Sequence, residues 1–190
     1  MKQQHKNIEI EFRARFGKGK YKSLKRFLNT HARKLGRDGK DVFFFMFPNK
    51  LLKVVNNVSR KTAKISLKLN KIGRGSDFEE IEVPINQRDF EKTAQMFLTM
   101  FGVKNSMRSF QRRHNYLYKG VEIALKWSAV WGYHMELEVV VNDKERQSLA
   151  ERKIREVANK LGVKIMTDGE LKKFTREAEK KYKISKKQKS

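Results

Sequence analysis

No cysteine occurs among the 190 residues, which excludes disulfides, thiolate nucleophiles and Cys-ligated zinc. Long apolar runs are missing too. No stretch of eighteen apolar residues exists, so no segment reads as a membrane-spanning helix. The first residues, MKQQHKNIEIEF, have neither the apolar stretch nor the small-residue cleavage site of a signal peptide, and the expected compartment is cytoplasmic. Acidic residues are scarce: 21 Asp and Glu face 45 Lys and Arg, a formal charge of +24. Such an excess attracts polyanions and speeds their encounter without naming which polyanion. Nucleic acid is therefore admitted as a partner through the basic surface.

What is present argues for a folded chain. The apolar fraction is 38% and there are thirteen Phe, more than a disordered chain carries. The length suits one domain with a substantial core. Residues 1–183 read as that domain, and the basic run 184–190 as a disordered tail. No internal linker or short-period repeat interrupts the chain, and it reads as a monomer or homodimer.

Strict alternation runs through several segments. In Ile8–Phe16, Glu9, Glu11, Arg13 and Arg15 share one face, while Ile8, Ile10, Phe12, Ala14 and Phe16 share the other. Lys61–Lys71 repeats the pattern, with Lys64 and Lys68 opposite Ala63, Ile65 and Leu67. Glu80 and Glu82 alternate with Ile81 and Val83 before Pro84, and Tyr133–Val141 sets Glu136 and Glu138 on one face. Asp41–Phe47 and Leu51–Val55 read as further strands. Met107–Lys119 and Val121–Trp127 read as a hairpin turning at Lys119-Gly120. Helical spacing marks Tyr21 to Leu35 with Gly36 as the stop. A second helix, capped by Asn86 and Asp89, stops at Gly102. Two more helices follow the capping signals Asn142/Glu145 and Thr167/Glu170. Gly73–Ser76 reads as a turn.

The apolar stripes of these helices need cover, and the apolar strand faces supply it. The charged faces then look inward. The expected fold is α+β: an eight-stranded antiparallel β-barrel with a polar interior, packed outside by α-helices. A charged interior is tolerable when water or a ligand of compensating charge fills it. Glutamates two apart on a strand lie roughly 6.6–6.8 Å apart on one face. They supply the oxygen ligands that Mg²⁺ or Mn²⁺ prefers. Arg13, Arg15, Lys53, Lys64, Lys68, Lys126 and one of Arg112/Arg113 supply donors for phosphate oxygens. Together these residues suit a triphosphate-containing small molecule with a divalent metal.

The ordered set Glu9-x-Glu11-x-Arg13, Leu67-Lys68 and Glu136-x-Glu138, across about residues 7–141, resembles the CYTH superfamily. These are the triphosphate tunnel metalloenzymes, named for class IV adenylyl cyclase and thiamine triphosphatase. The resemblance implies an eight-stranded tunnel and Mg²⁺- or Mn²⁺-dependent attack on a triphosphate. By the same resemblance, Glu9, Glu11, Glu80, Glu82, Glu136 and Glu138 are metal ligands. Glu136, Glu138 and Lys68 are catalytic, with a second ion near the last acidic pair. Arg13, Arg15, Lys53, Lys64, Lys68, Arg112 and Lys126 bind phosphate. Arg112 is preferred to Arg113 as the inward residue.

Two departures stand out. Only Lys53 occupies a strand where the family has two arginines, and Lys126 stands where the family usually has an aspartate. Glu122, on the face of Lys126, is the candidate to compensate. The implied activity is hydrolysis of inorganic, nucleoside or thiamine triphosphate. The alternatives are a class IV-type adenylyl cyclase making cyclic AMP from ATP and a non-catalytic polyphosphate- or RNA-binding module. His114 and His134 read as hydrogen-bonded packing before acid–base groups. Trp127 and Trp131 read as packing before ring-stacking platforms.

Overall fold

The computed structural model describes residues 8–69, 80–102, 106–142 and 144–187. Eight strands and four helices follow one another in the order β1 (Ile8–Arg15), α1 (Lys18–His31), β2 (Arg33–Met46), β3 (Leu51–Asn57), β4 (Thr62–Lys68), β5 (Glu80–Ile85), α2 (Phe90–Phe101), β6 (Ser106–Tyr118), β7 (Val121–Ser128), β8 (Gly132–Val141), α3 (Gln147–Lys160) and α4 (Asp168–Lys187). The strands form one sheet in the order β1-β8-β7-β6-β2-β3-β4-β5, every neighbouring pair antiparallel. The sheet curls into a half-barrel. Among the described residues β1 and β5 do not pair, so a seam runs between them. No described helix is long and apolar enough to cross a membrane.

The alternation decides what lies on each side. Ile10 and Ala14 of β1, Ile123 and Leu125 of β7, and Met135 and Leu137 of β8 point outward. There they bury against Leu24 and Leu28 of α1 and Ala150, Ile154 and Val157 of α3. On the other half, Phe43 and Phe45 of β2, Leu52 and Val54 of β3, and Ala63 of β4 bury against Phe90 and Ala94 of α2. Two apolar layers therefore sit outside the sheet, each capped by helices, and the polar strand faces are left for the interior.

Local differences from the sequence reading have local causes. The first helix stops at His31 and Gly36 lies within β2. Only Leu24 and Leu28 of α1 are buried, so the helical stripe ends a turn before Leu35. Gly36, at φ +111°, sits where the β2–β6 register slips between Lys34 and Gly36, a bulge whose positive φ favours glycine. Pro84 does not end β5; it pairs opposite Lys64 on an edge strand, where no outward N–H is needed. Asn86 makes no side-chain cap; its carbonyl accepts the Asp89 N–H in a 3₁₀ turn that leads into α2. The last box forms as expected. The Thr167 N–H donates to Glu170 Oε2 at 2.8 Å, and the Glu170 N–H to Thr167 Oγ1 at 3.2 Å. The expected Gly73–Ser76 turn lies outside the described residues.

Phe45 is 1% exposed and meets Phe97 and Phe101 edge-on, at 5.7 and 6.2 Å between ring centroids. Phe45→Ala is expected to cost about 3–5 kcal/mol in urea unfolding, since the sheet and α2 cannot both close on the void.

Candidate functional site

One cavity of about 290 Å³ runs through the interior of the curled sheet. Each wall is set by alternate residues of a strand: Glu9, Glu11 and Arg13 from β1, Glu136 and Glu138 from β8, Lys126 from β7 and Arg113 from β6. Lys40 of β2, Lys53 of β3, Lys64 and Lys68 of β4 and Glu82 of β5 complete it. Register brings the acidic pairs together: Glu11 lies opposite Glu138, and Arg13 opposite Glu136. At the end formed by the β2–β3 and β7–β8 turns the lining becomes apolar. There Phe44 and Leu51 meet Trp131, with Leu171 and Phe174 of α4. Trp131 packs 5.5 Å from the Phe174 ring and 6.3 Å from Phe44.

The carboxylates divide into two environments. Glu136 Oε1 accepts from Arg13 Nε at 3.3 Å. Its Oε2 accepts from Lys126 Nζ and has Arg113 Nη2 at 3.9 Å. Burial pushes this carboxyl up, but Lys126, Arg13 and Arg113 outweigh it and hold it well below the usual range. Glu138 has the reverse balance. Burial, a hydrogen bond with Glu9 and the nearby Glu11 and Glu136 push it up to about 8. Burial also raises Glu11, with Arg13 opposing. Arg13 Nη2 lies 2.6 Å from Glu11 Oε1, yet that oxygen, buried, accepts no hydrogen bond.

The cations feel one another as well. Burial, then Arg113, brings Lys126 down to about 7 against the pull of Glu136. Burial and Arg113 bring Lys40 to about 8. Arg113 Nε is buried without an acceptor, and Trp131 Nε1 likewise lacks one. A ligand with several anionic oxygens would satisfy the Arg113 donor, and a hard cation would satisfy Glu11 Oε1.

Several expected site residues lie elsewhere. Arg113, not Arg112, lines the cavity. Arg112 shares the outward face of Tyr116, which is buried under α1, and its guanidinium sits 5.4 Å over the Trp127 ring. Arg15 continues the face of Arg13 past the end of the cavity wall. It is exposed, pairs with Glu177 at 2.7 Å and lies 4.8 Å over Phe174. Glu122 is exposed and does not line the cavity. Glu80 opens β5, but its side chain lies outside the described residues. Glu82 pairs with Lys64 at the rim.

Lys40 and Gln111 join the site unexpectedly. The alternation Lys40, Val42, Phe44 would have found Lys40 had β2 been begun before Asp41. His134 is 5% exposed against the cavity. Burial and Lys126 take it down to about 3, and its Nδ1 lies 3.2 Å from the Gly132 carbonyl. It is neutral near pH 7. His114 belongs to the outer face, where burial, Lys25 and Arg37 hold it near 4.

Solved structures share this architecture. The PH1012 protein of Pyrococcus horikoshii OT3 superposes with a TM-score of 0.67 at 24% identity, over 83% of this chain and 94% of that one. The chain has the CYTH-type tunnel fold. A Vibrio parahaemolyticus protein named for adenylate cyclase shares the tunnel at a TM-score of 0.62 and 11% identity, covering 86% of this chain and 91% of that one. HpAC1 from Hippeastrum, for which a dominant triphosphatase activity is described, matches at a TM-score of 0.58 and 16% identity, over 84% of this chain and 90% of that one. No protein-family model matches the sequence, and no curated protein does. At these identities the likeness carries the tunnel fold alone.

Among the described residues no three acidic or histidine side chains stand at metal-ligating geometry. Glu9, Glu11 and Glu138 nevertheless have the donor chemistry for a hard cation: three adjacent carboxyls, a hydrogen bond between two of them, and an oxygen on the third that accepts none. Glu138 is expected to titrate near pH 8, as read from its side-chain carbonyl NMR signal. Its proton is held more tightly folded than unfolded, so native stability falls as pH rises from about 4.5 to about 8. Above that the contribution is level. Glu138→Gln should remove this decline, giving a stability advantage over wild type that grows across that window in urea titrations.

Proposed function

We propose that the chain binds the triphosphate group of a small molecule in the tunnel and hydrolyses it with Mg²⁺ or Mn²⁺. The observation that carries this is the pairing of unmet needs in one cavity. Buried cationic donors include an arginine nitrogen without an acceptor, and the adjoining carboxyls crowd one another where a cation would relieve them. A chain of phosphates with a divalent ion meets both. The tunnel likeness to HpAC1 adds weight to the same chemistry.

Arg13, Lys53, Lys68, Arg113 and Lys126, which line the cavity, would hold the phosphate oxygens. They donate charge-assisted hydrogen bonds and offset the charge that builds on the phosphoryl oxygens as the bridging P–O bond breaks. Glu9, Glu11 and Glu138 would hold the divalent ion. When bound, that ion offsets phosphate charge and polarises phosphoryl oxygens. Water adds to the terminal phosphorus in line with the leaving diphosphate oxygen, and a tunnel carboxylate takes its proton. Glu138 suits that role because its affinity for a proton lies near neutral pH. Trp131, Phe44 and Phe174 keep bulk water from one end of the cavity.

Phosphate release from tripolyphosphate, ATP and thiamine triphosphate, with cyclic AMP assayed in parallel, tests this reading. Release is expected in Mg²⁺ or Mn²⁺, abolished by chelator, and reduced about 10²–10³-fold in Arg13→Ala by loss of a charge-stabilising donor. Glu9→Gln/Glu11→Gln should lower it by weakening the metal's hold. No metal-dependent turnover of any of the three, alongside salt-sensitive RNA binding, would sink it.

A further inference from the structure

The four carboxylates on the β1–β8 wall are not equivalent ligands. Around Glu138 there are carboxyls: Glu9 is hydrogen-bonded to it, and Glu11 and Glu136 are close enough to raise its proton affinity. Around Glu136 there are cations from three strands. Arg13 Nε meets Oε1, while Lys126 Nζ and Arg113 Nη2 face Oε2. Lys126 is 5% exposed and Glu136 lies at the cavity surface, so the ammonium occupies the coordination space on the Oε2 side. A divalent ion there would have to displace Lys126 and sit beside two guanidinium groups. Like charges that close repel strongly in a buried site.

From this we infer that the tunnel takes a single divalent cation, on Glu9, Glu11 and Glu138, and that Lys126 is a protein-borne second cation. Held against Glu136, its Nζ presents positive charge to the phosphate chain from the side opposite the ion-binding carboxyls. Glu136 is then a positioning residue for Lys126 and not a metal ligand. The inference rests on the polyphosphate reading for what Lys126 touches, but not for how many ions bind. The acidic group lost at this strand position is thus replaced by a charge of the opposite sign, and the tunnel needs one ion fewer.

The test counts ions on the full chain without phosphate. Mn²⁺ titration read by electron paramagnetic resonance should give one bound ion per chain in wild type and none in Glu138→Gln. Lys126→Gln should keep the count at one, because Arg13 and Arg113 still neutralise Glu136; near-ultraviolet circular dichroism checks its fold. Lys126→Asp should raise the count to two. Wild type binding no ion or two overturns the inference, as does a count that stays at one in a folded Lys126→Asp.

A second arm measures a non-hydrolysable imidotriphosphate by calorimetry. Lys126→Gln should weaken it about 10- to 100-fold, the scale for one hydrogen bond to a charged group. Unchanged affinity in that variant overturns the role given to Lys126. If wild type binds no imidotriphosphate at all, the polyphosphate reading fails instead, and the ion count still decides the single site.

Discussion

Removing a carboxylate from water costs several kcal/mol unless other groups replace its solvation, and an ion pair left without one partner is worse than none. Glu136 meets this constraint with Arg13 from β1, Lys126 from β7 and Arg113 from β6. These strands, with β8, are four consecutive members of the sheet, so one buried charge cluster ties together half of its width. The rest of the architecture follows from it. Strand faces that carry such charges cannot pack on helices, which receive the apolar faces instead. That is why the two apolar layers lie outside the curl and the interior remains polar.

Much of this was legible in the sequence because strand periodicity is rigid. Once Ile10, Leu67 and Leu137 are placed outward, Glu9, Lys68 and Glu136 have no choice of face. The reading failed where periodicity left two answers or where contacts came from distant residues. Arg112 and Arg113 are adjacent cations, and only the burial of Tyr116 under α1 shows which face is outer. Arg15 obeys the alternation of β1, yet Glu177, far along the chain, claims it beyond the cavity. Lys126 could be seen as a cation out of place. Its partnership with Glu136 depends on how β7 and β8 register, which no local pattern states.

The distribution of charge also refines what the basic excess means. Among the described side chains the cavity holds seven cations and five carboxylates, an imbalance far smaller than the +24 of the whole chain. Most of the surplus therefore lies outside the cavity. An outer field of that sign draws polyanions from a distance, whereas selection depends on the arranged charges within. Long-range attraction and close recognition are thus carried by different residues.

The unpaired seam between β1 and β5 has a mechanical meaning. In a barrel closed by hydrogen bonds, strand number and stagger fix the bore. A sheet that stops short of closure lacks that lock, and small changes of twist shared over eight strands alter its width. Crowded carboxyls on β1 and β8 push this structure toward a wider curl, while a bridging counter-charge draws it in. The gauge of the channel is consequently set by what occupies it, and occupancy is written into the shape of the whole sheet.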